Sequence, residues 1–195
     1  MARCASHAMC INMSKRREKL VFKGEVFSIY QWRQKLYDGT YATFERADRQ
    51  SIVQIIPTMG RKIAIALEEQ PLIRPTLGIL GGLIECGERP LAAAKRELLE
   101  ESGMVSGRWK RLRKFVYTGK VRYTVYLYAA IDCRKVAGQH LDPGERIEVR
   151  YTTLRGLLGL SKRIRTGEDV RLYLTEIKYE PKKRKALEKL LFGRA

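Results

Sequence analysis

Residues 82–104 read GLIECGERPLAAAKRELLEESGM, and this stretch decides the fold. Pro90 suits the first turn of a helix, Ala and Leu fill the interior, and Gly103 fits the position just past its end, so a helix is predicted over 90–102. On that helix Glu97 and Glu101 are i,i+4 neighbours, and Glu97 and Glu100 are i,i+3. Like charges so spaced cost an isolated helix roughly 0.2–0.5 kcal/mol per pair. A divalent cation removes that cost. Mg²⁺ in particular takes a hard oxygen shell from a few carboxylates and a substrate's phosphates. Arg96 is placed to bond Glu88 across the preceding loop and orient it. Gly81 and Gly82 carry no side chain, so a backbone carbonyl, that of Gly81, can approach an ion.

Outward from this segment the pattern is mostly strands before it, and strands followed by helices after it. Residues 21–47 alternate apolar and polar positions around Asp38-Gly39, a hairpin signal. SIVQIIPTM (51–59), RKIAIALEEQ (61–70) and LGILGGLIE (77–85) read as further strands. Past the helix, GRWKRLRKFVYTG and KVRYTVYLYAAIDCR read as two strands around Gly119-Lys120, and LDPGERIEV as a turn and a short strand. TTLRGLLGL, EDVRLYLTEIKYE and PKKRKALEKLLF read as three helices. That order predicts an α+β, mixed-sheet αβα sandwich rather than a regular βαβ alternation. We expect a basic, poorly ordered extension over 1–20, an N-terminal antiparallel strand subdomain over 21–58, and the main domain with C-terminal helices over 59–195.

Charge sharpens the picture. The 195 residues carry a formal net charge of +18. Residues 105–131 hold seven basic side chains and no acidic one, whereas residues 82–104 hold five acidic against three basic. An acidic centre in a basic protein suits a cation together with a polyanionic substrate. The same field suits nucleic acid, which is kept as a partner but not favoured. No apolar run approaches a membrane span, so no membrane partner and a cytoplasmic location are expected. The four cysteines form no CxxC pair and only two histidines are present, which argues against zinc and a disulfide framework and for incidental thiols.

The segment also fits the pattern GX5EX7REUXEEXGU: Gly82, Glu88, Arg96, Glu97, Leu98, Glu100, Glu101 and Gly103 fall on its fixed positions, with Met104 at the last apolar one. The chain therefore resembles the Nudix hydrolase superfamily. The resemblance implies hydrolysis of a pyrophosphate linked to a nucleoside, with Mg²⁺ as cofactor and Mn²⁺ as substitute. It implies metal ligands at Glu97, Glu100, Glu101 and the Gly81 carbonyl, and orienting roles for Gly82, Glu88, Arg96 and Gly103. The hairpin with its DG turn, Phe44-Glu45-Arg46 and Glu69-Gln70 look most like the ADP-ribose pyrophosphatase branch. That likeness implies ADP-ribose or a nucleotide sugar as substrate and a homodimer formed through the N-terminal strands. The branch's distal metal-binding Glu corresponds to Glu145, while its separate catalytic Glu falls on Pro143, which leaves Asp142, Glu148 or Glu97 as base. Arg46, Arg74 and Glu45 are the substrate-binding candidates, with Arg122 a further phosphate contact and Tyr30, Trp32, Tyr117 and Tyr123 as stacking candidates. Position 120 is Lys120, where a Pro is often taken to mark ADP-ribose specificity. The alternatives are a pool-cleansing (d)NTP hydrolase and an RNA 5′-end pyrophosphohydrolase or RNA-binding protein of the same superfamily.

Overall fold

The computed structural model describes residues 18–193 except residue 72, and the backbone alone of residue 73. Most of the expected 1–20 extension lies outside the described residues. The strands are β1 (Lys19–Lys23), β2 (Phe27–Lys35), β3 (Tyr41–Arg49), β4 (Ile52–Met59), β5 (Lys62–Gln70), β6 (Ile73–Gly78), β7 (Met104–Val105), β8 (Arg108–Thr118), β9 (Val121–Ile131), β10 (Arg134–Lys135) and β11 (Arg146–Thr152). The helices are α1 (Pro90–Ser102), α2 (Leu154–Gly159), α3 (Glu168–Tyr179) and α4 (Pro181–Phe192).

Nine strands form one mixed sheet in the order β1-β2-β3-β9-β4-β5-β11, with β6 on β5 and β8 on β9. β4 and β9 run parallel over Ile52–Pro57 and Val125–Ala130, and most other pairs are antiparallel. β1, β2 and β3 form an antiparallel meander that joins the rest through Ala47 and Asp48 beside Val121 and Arg122. Its turn is the expected one: Gly39 has φ 88°, and the Asp38 carboxylate accepts from the Thr40 N–H at 2.9 Å.

The period-two alternation of the central strands gives the sheet two apolar faces. Val53, Ile55, Ala64, Ala66, Tyr128, Ala130 and Ile147 pack under Ala93, Ala94 and Leu98 of α1. Ile56, Ile63, Ile65, Leu127 and Ala129 pack against Leu157 of α2, Val170 and Leu174 of α3, and Leu187 and Leu191 of α4. Helices cover both faces, which is the expected αβα sandwich. No described helix is long and apolar enough to cross a membrane.

Two expectations fail. The stretch 77–85 is not a strand: β6 ends at Gly78, and Leu80 and Leu83 make only isolated bridges to Ile55 and Ile52. Its extended backbone is spent on β4, with Ile55 N donating to Leu80 O and Val53 N to Gly82 O. Among the cysteines, Cys133 is free and buried as expected, its thiol pushed up to about 11 by burial, but Cys86 is disulfide-bonded.

Candidate active site

The helix α1 begins at Pro90 and stops where Gly103, at φ 68°, takes the left-handed conformation and donates to Leu99 O at 2.7 Å. One face (Ala94, Leu98, Glu101, Ser102) is buried in the core. This rotation carries Glu97 and Glu101 to the edge of the buried face and leaves Glu100 more exposed. Arg96 organises the acids. Its Nε and Nη2 grip Glu88 at 3.1 and 3.0 Å, its Nη1 reaches Glu97 and Glu100 at 2.9 Å each, and Nη2 also donates to Leu83 O. Such a fork is what a planar guanidinium does and an ammonium cannot. Hydrogen bonds from Arg96 hold the Glu88 carboxyl below the usual range, and Glu88 in turn accepts from the Glu85 N–H at 3.0 Å. The loop before the helix and the helix surface are thereby fixed to one another, with Glu88 and Arg96 paired as their spacing predicts.

Of the two glycines before that loop, Gly81 is sterically obligatory and Gly82 gives the Glu97 carboxylate its place. Gly81 has φ 139°, and a Cβ there would stand 2.2 Å from Val53 O. A Cβ on Gly82 would stand 2.4 Å from Glu97 Oε1, so the Glu97 carboxylate rests directly on the glycine. Gly81 N–H donates to Glu101 Oε2 at 2.7 Å. The Leu80 and Gly82 carbonyls accept from β4, whereas the Gly81 carbonyl between them accepts no hydrogen bond among the described residues.

The remaining acid arrives from the loop between β10 and β11. Glu145 follows a turn closed by its own N–H on Asp142 O at 2.9 Å. Three bonds pin this loop to the end of α1, and a fourth ties it to β11. Val136 N donates to Gly103 O, His140 N donates to Glu100 O at 2.8 Å, and Gln139 Nε2 donates to both Glu101 O at 2.6 Å and Ile147 O at 2.9 Å. Sequence reasoning missed Gln139, for which no sequence signal exists, and it missed Glu68. Glu68 continues the row Ala64, Ala66 on the face of β5 beneath α1 and pairs in register with Ile147, so period-two counting would have found it.

The acids share one electrostatic environment. Burial, opposed by Arg96, pushes Glu97 up to about 7, and the charges of Glu100 and Glu145 add to the rise. Burial also raises Glu101 well above the usual range, with Glu97, Glu145 and Glu68 adding to it. Glu145 is raised by burial first, then by Asp142, Glu68 and Glu100. Mutually repelling, partly desolvated carboxylates beside an unused carbonyl are a hard-oxygen donor set, and that chemistry fits a divalent cation. In this structure Arg96 holds Glu97 and Glu100, and among the described residues no three acids already surround a point at ligand spacing.

Beside Glu145 opens a cleft of about 520 Å³, bordered by Glu69, Gln70, Arg74, Pro143 and Arg146. Arg74 is exposed at its rim, and Arg146 pairs with Glu69 at 3.1 Å. The other substrate candidates lie outside that lining. Arg46, on β3, is held by Glu18 and Asp48 at 2.7 Å and covers the Tyr30 ring, while Glu45 accepts from Gln31 at 3.0 Å. Arg122 pairs with Asp48, Trp32 packs against Phe44, and Tyr117 stacks on Tyr123 at 4.3 Å. Of the alternative bases, Glu148 is exposed between the inward residues Ile147 and Val149 and pairs with Arg150, so it turns away from α1.

Comparison with known proteins shows the family and the fold. Residues 48–172 match the NUDIX domain family. The chain is 28% identical over 145 residues to the ADP-ribose pyrophosphatase of Bacillus subtilis (strain 168), covering 72% of this chain and 78% of that protein. A crystal structure of an ADP compounds hydrolase superposes with a TM-score of 0.63 at 20% identity, covering 87% of each chain, a likeness of fold.

Proposed function

The chain belongs to the Nudix family of pyrophosphohydrolases, and from that membership we propose that it hydrolyses the pyrophosphate bond of ADP-ribose or a nucleotide sugar. The observation that carries this reading is that Glu97 and Glu101 both feel the charge of Glu145, with Glu101 bonded to the Gly81 N–H, at the edge of a cleft that also presents Arg74 and Arg146. The B. subtilis relative supports ADP-ribose as the substrate.

In the proposed reaction water attacks one phosphorus and the bridging P–O bond breaks, giving a nucleoside monophosphate and a sugar phosphate. Glu97, Glu100, Glu101, Glu145 and the Gly81 carbonyl would hold Mg²⁺, with Mn²⁺ as substitute. The cation supplies charge neutralisation at the phosphates and a more acidic water. The chain's own residues do the rest. Arg96 and Glu88 fix the helix surface to the loop, Gly82 gives Glu97 room, and Gly103 lets the loop with Glu145 reach α1. Arg74 and Arg146 border the cleft where a diphosphate would lie. Glu97 or Asp142 takes the proton from water, since Pro143 stands where the branch's loop carboxylate would be and Glu148 faces away.

We also propose a homodimer through β1–β3, supported by Leu20, Val21, Phe22, Val26, Phe27 and Phe44, which are exposed apolar side chains on or beside those strands. A monomeric mass at micromolar concentration would remove that part of the reading.

The direct test is phosphatase-coupled phosphate release with Mg²⁺ over ADP-ribose, nucleotide sugars, NAD, dinucleoside polyphosphates, (d)NTPs and 5′-triphosphate RNA. Turnover of ADP-ribose or a nucleotide sugar is expected. Turnover of 5′-triphosphate RNA or (d)NTPs with neither of these would overturn the assignment.

A further inference from the structure

The acidic site explains none of the charge on the opposite border of the sheet. There β8 is an edge strand: it pairs with β9, and its outer edge has no strand partner among the described residues. Its 11 residues span about 36 Å at a strand's rise per residue. Arg108 is paired with Asp132 at 2.6 Å and Arg113 with Glu176 at 3.6 Å, whereas exposed Lys110, Arg111 and Lys114 form no ion pair with any acid among the described residues.

An edge strand often carries a lysine or a bulge to discourage pairing with another chain. This one has a bulge between Arg111 and Arg113 already. Three uncompensated cations within five positions go beyond that need, and they repel one another. Lys110, beside Ala129, faces the side that carries α2, α3 and α4, while Arg111 and Lys114 stand among aromatic rings. The register places Trp109, Arg111 and Lys114 beside Ala130, Tyr128 and Tyr126, on the side of the sheet that carries α1. Lys114 Nζ lies 5.6 Å over the half-buried Tyr126 ring, Arg111 interacts with the Tyr128 hydroxyl, and Trp109 meets Tyr128 edge-on at 6.3 Å. Cations of β8 thus lie beside rings of β8 and β9 along one open edge. β9 and β4 separate this surface from β5 and the acidic site.

We propose that the open edge formed by β8 and β9 is a binding surface for single-stranded nucleic acid, with Arg111 and Lys114 on the phosphates beside Tyr126 and Trp109 as the base platform, and Lys110 adding charge from the opposite face of the same edge. Stacking on aromatic rings beside a cationic track is how unpaired strands are held without sequence preference. A membrane surface fits less well, because Val116 is the one large apolar side chain of β8 that stands exposed, and a lipid interface needs an apolar anchor. RNA and single-stranded DNA share the chemistry, and the experiment separates them.

The test measures fluorescence anisotropy of labelled oligo-U and oligo-dT of about twelve nucleotides, within the roughly 4–16 that one such face covers. The full-length protein is compared with the triple variant Lys110→Gln, Arg111→Gln, Lys114→Gln. The control triple Lys182→Gln, Lys185→Gln, Lys189→Gln removes the same charge from the exposed side of α4. The β8 triple is expected to bind at least about tenfold more weakly, and its slope of log affinity against log salt should fall by about 2, since each single-strand phosphate contact contributes about 0.7. The α4 triple should bind as wild type, and ADP-ribose turnover should be unchanged in both. Tighter binding of oligo-U assigns RNA, and equal binding assigns backbone recognition of either strand. The proposal is overturned if both triples weaken binding equally, which makes it a property of net charge. It is also overturned if neither oligonucleotide binds, whether or not phosphatidylserine vesicles capture the wild type.

Discussion

Two segments deliver the acids of the candidate site, and they are held by different means. On α1 the spacing is local: the helical period sets Glu97, Glu100 and Glu101 relative to one another, Pro90 and Gly103 bound the helix, and Arg96 is the neighbour that clamps them. Glu145 owes its place to nothing local. It sits on an irregular loop whose position is dictated by hydrogen bonds to Gly103, Glu100, Glu101 and Ile147. A helix can supply ligands cheaply because its backbone is already ordered. A loop needs tethers, and here those to Glu100, Glu101 and Gly103 end on the backbone of the helix that bears the other acids or of its cap. The site is built as one unit from the C-terminal half of α1 outward.

The largest effect should come from the helix. Glu97→Gln or Glu101→Gln is expected to lower kcat/KM by about 10²–10³-fold, the size seen when a charge-stabilising group is removed, with unchanged circular dichroism. A variant retaining a third of wild-type activity would remove that residue from the site. On the loop, Gln139→Met keeps the length and removes both donor bonds. Activity or metal affinity should fall about 10–100-fold, as for other supporting partners of a metal site, while the melting of α1 is unaffected. Equal losses of fold and activity would mean that Gln139 is merely structural.

At the joint between the two, Gly103→Ala should cost about 1–2 kcal/mol for the left-handed backbone alone. The added Cβ would stand 2.1 Å from Ala137 O, so thermal unfolding should show at least that loss. The smallest effect is on stability against pH without metal. Burial favours the protonated form of Glu97, so the fold gains from that proton fully below the unfolded value of 4.5 and loses the gain as pH rises through about 7. Glu101 and Glu145 shift in the same direction. The melting temperature of the metal-free protein should therefore fall by a few degrees between about pH 5 and 8, and Mg²⁺ should restore it more at pH 8 than at pH 5. A melting temperature that rises over that range would contradict the shared raised carboxyls.

What could be read in the sequence follows the same division. The bounds of α1 and α4, the hairpin at Asp38-Gly39 and the pair β8–β9 follow from local period and turn chemistry, and the structure places them where those rules put them. The bond between Arg96 and Glu88 was legible from spacing. The segment 77–85 was misread because Gly81 at φ 139° and the bonds to β4 turn an apolar run into a loop, which only the neighbouring strand determines. Glu68 and Gln139 escaped notice for a related reason. Their roles depend on which strand lies beside β5 and on how a loop closes over a helix end, and neither is a local property.

The most direct test of the one-unit account is calorimetric titration of Mn²⁺ or Mg²⁺ into wild type, Glu97→Gln, Glu145→Gln and the double variant. The account predicts that each single substitution weakens binding markedly and that the double variant is little worse than either, because both carboxylates serve one cation cluster. Wild-type affinity in Glu145→Gln, or fully additive losses in the double variant, would contradict it.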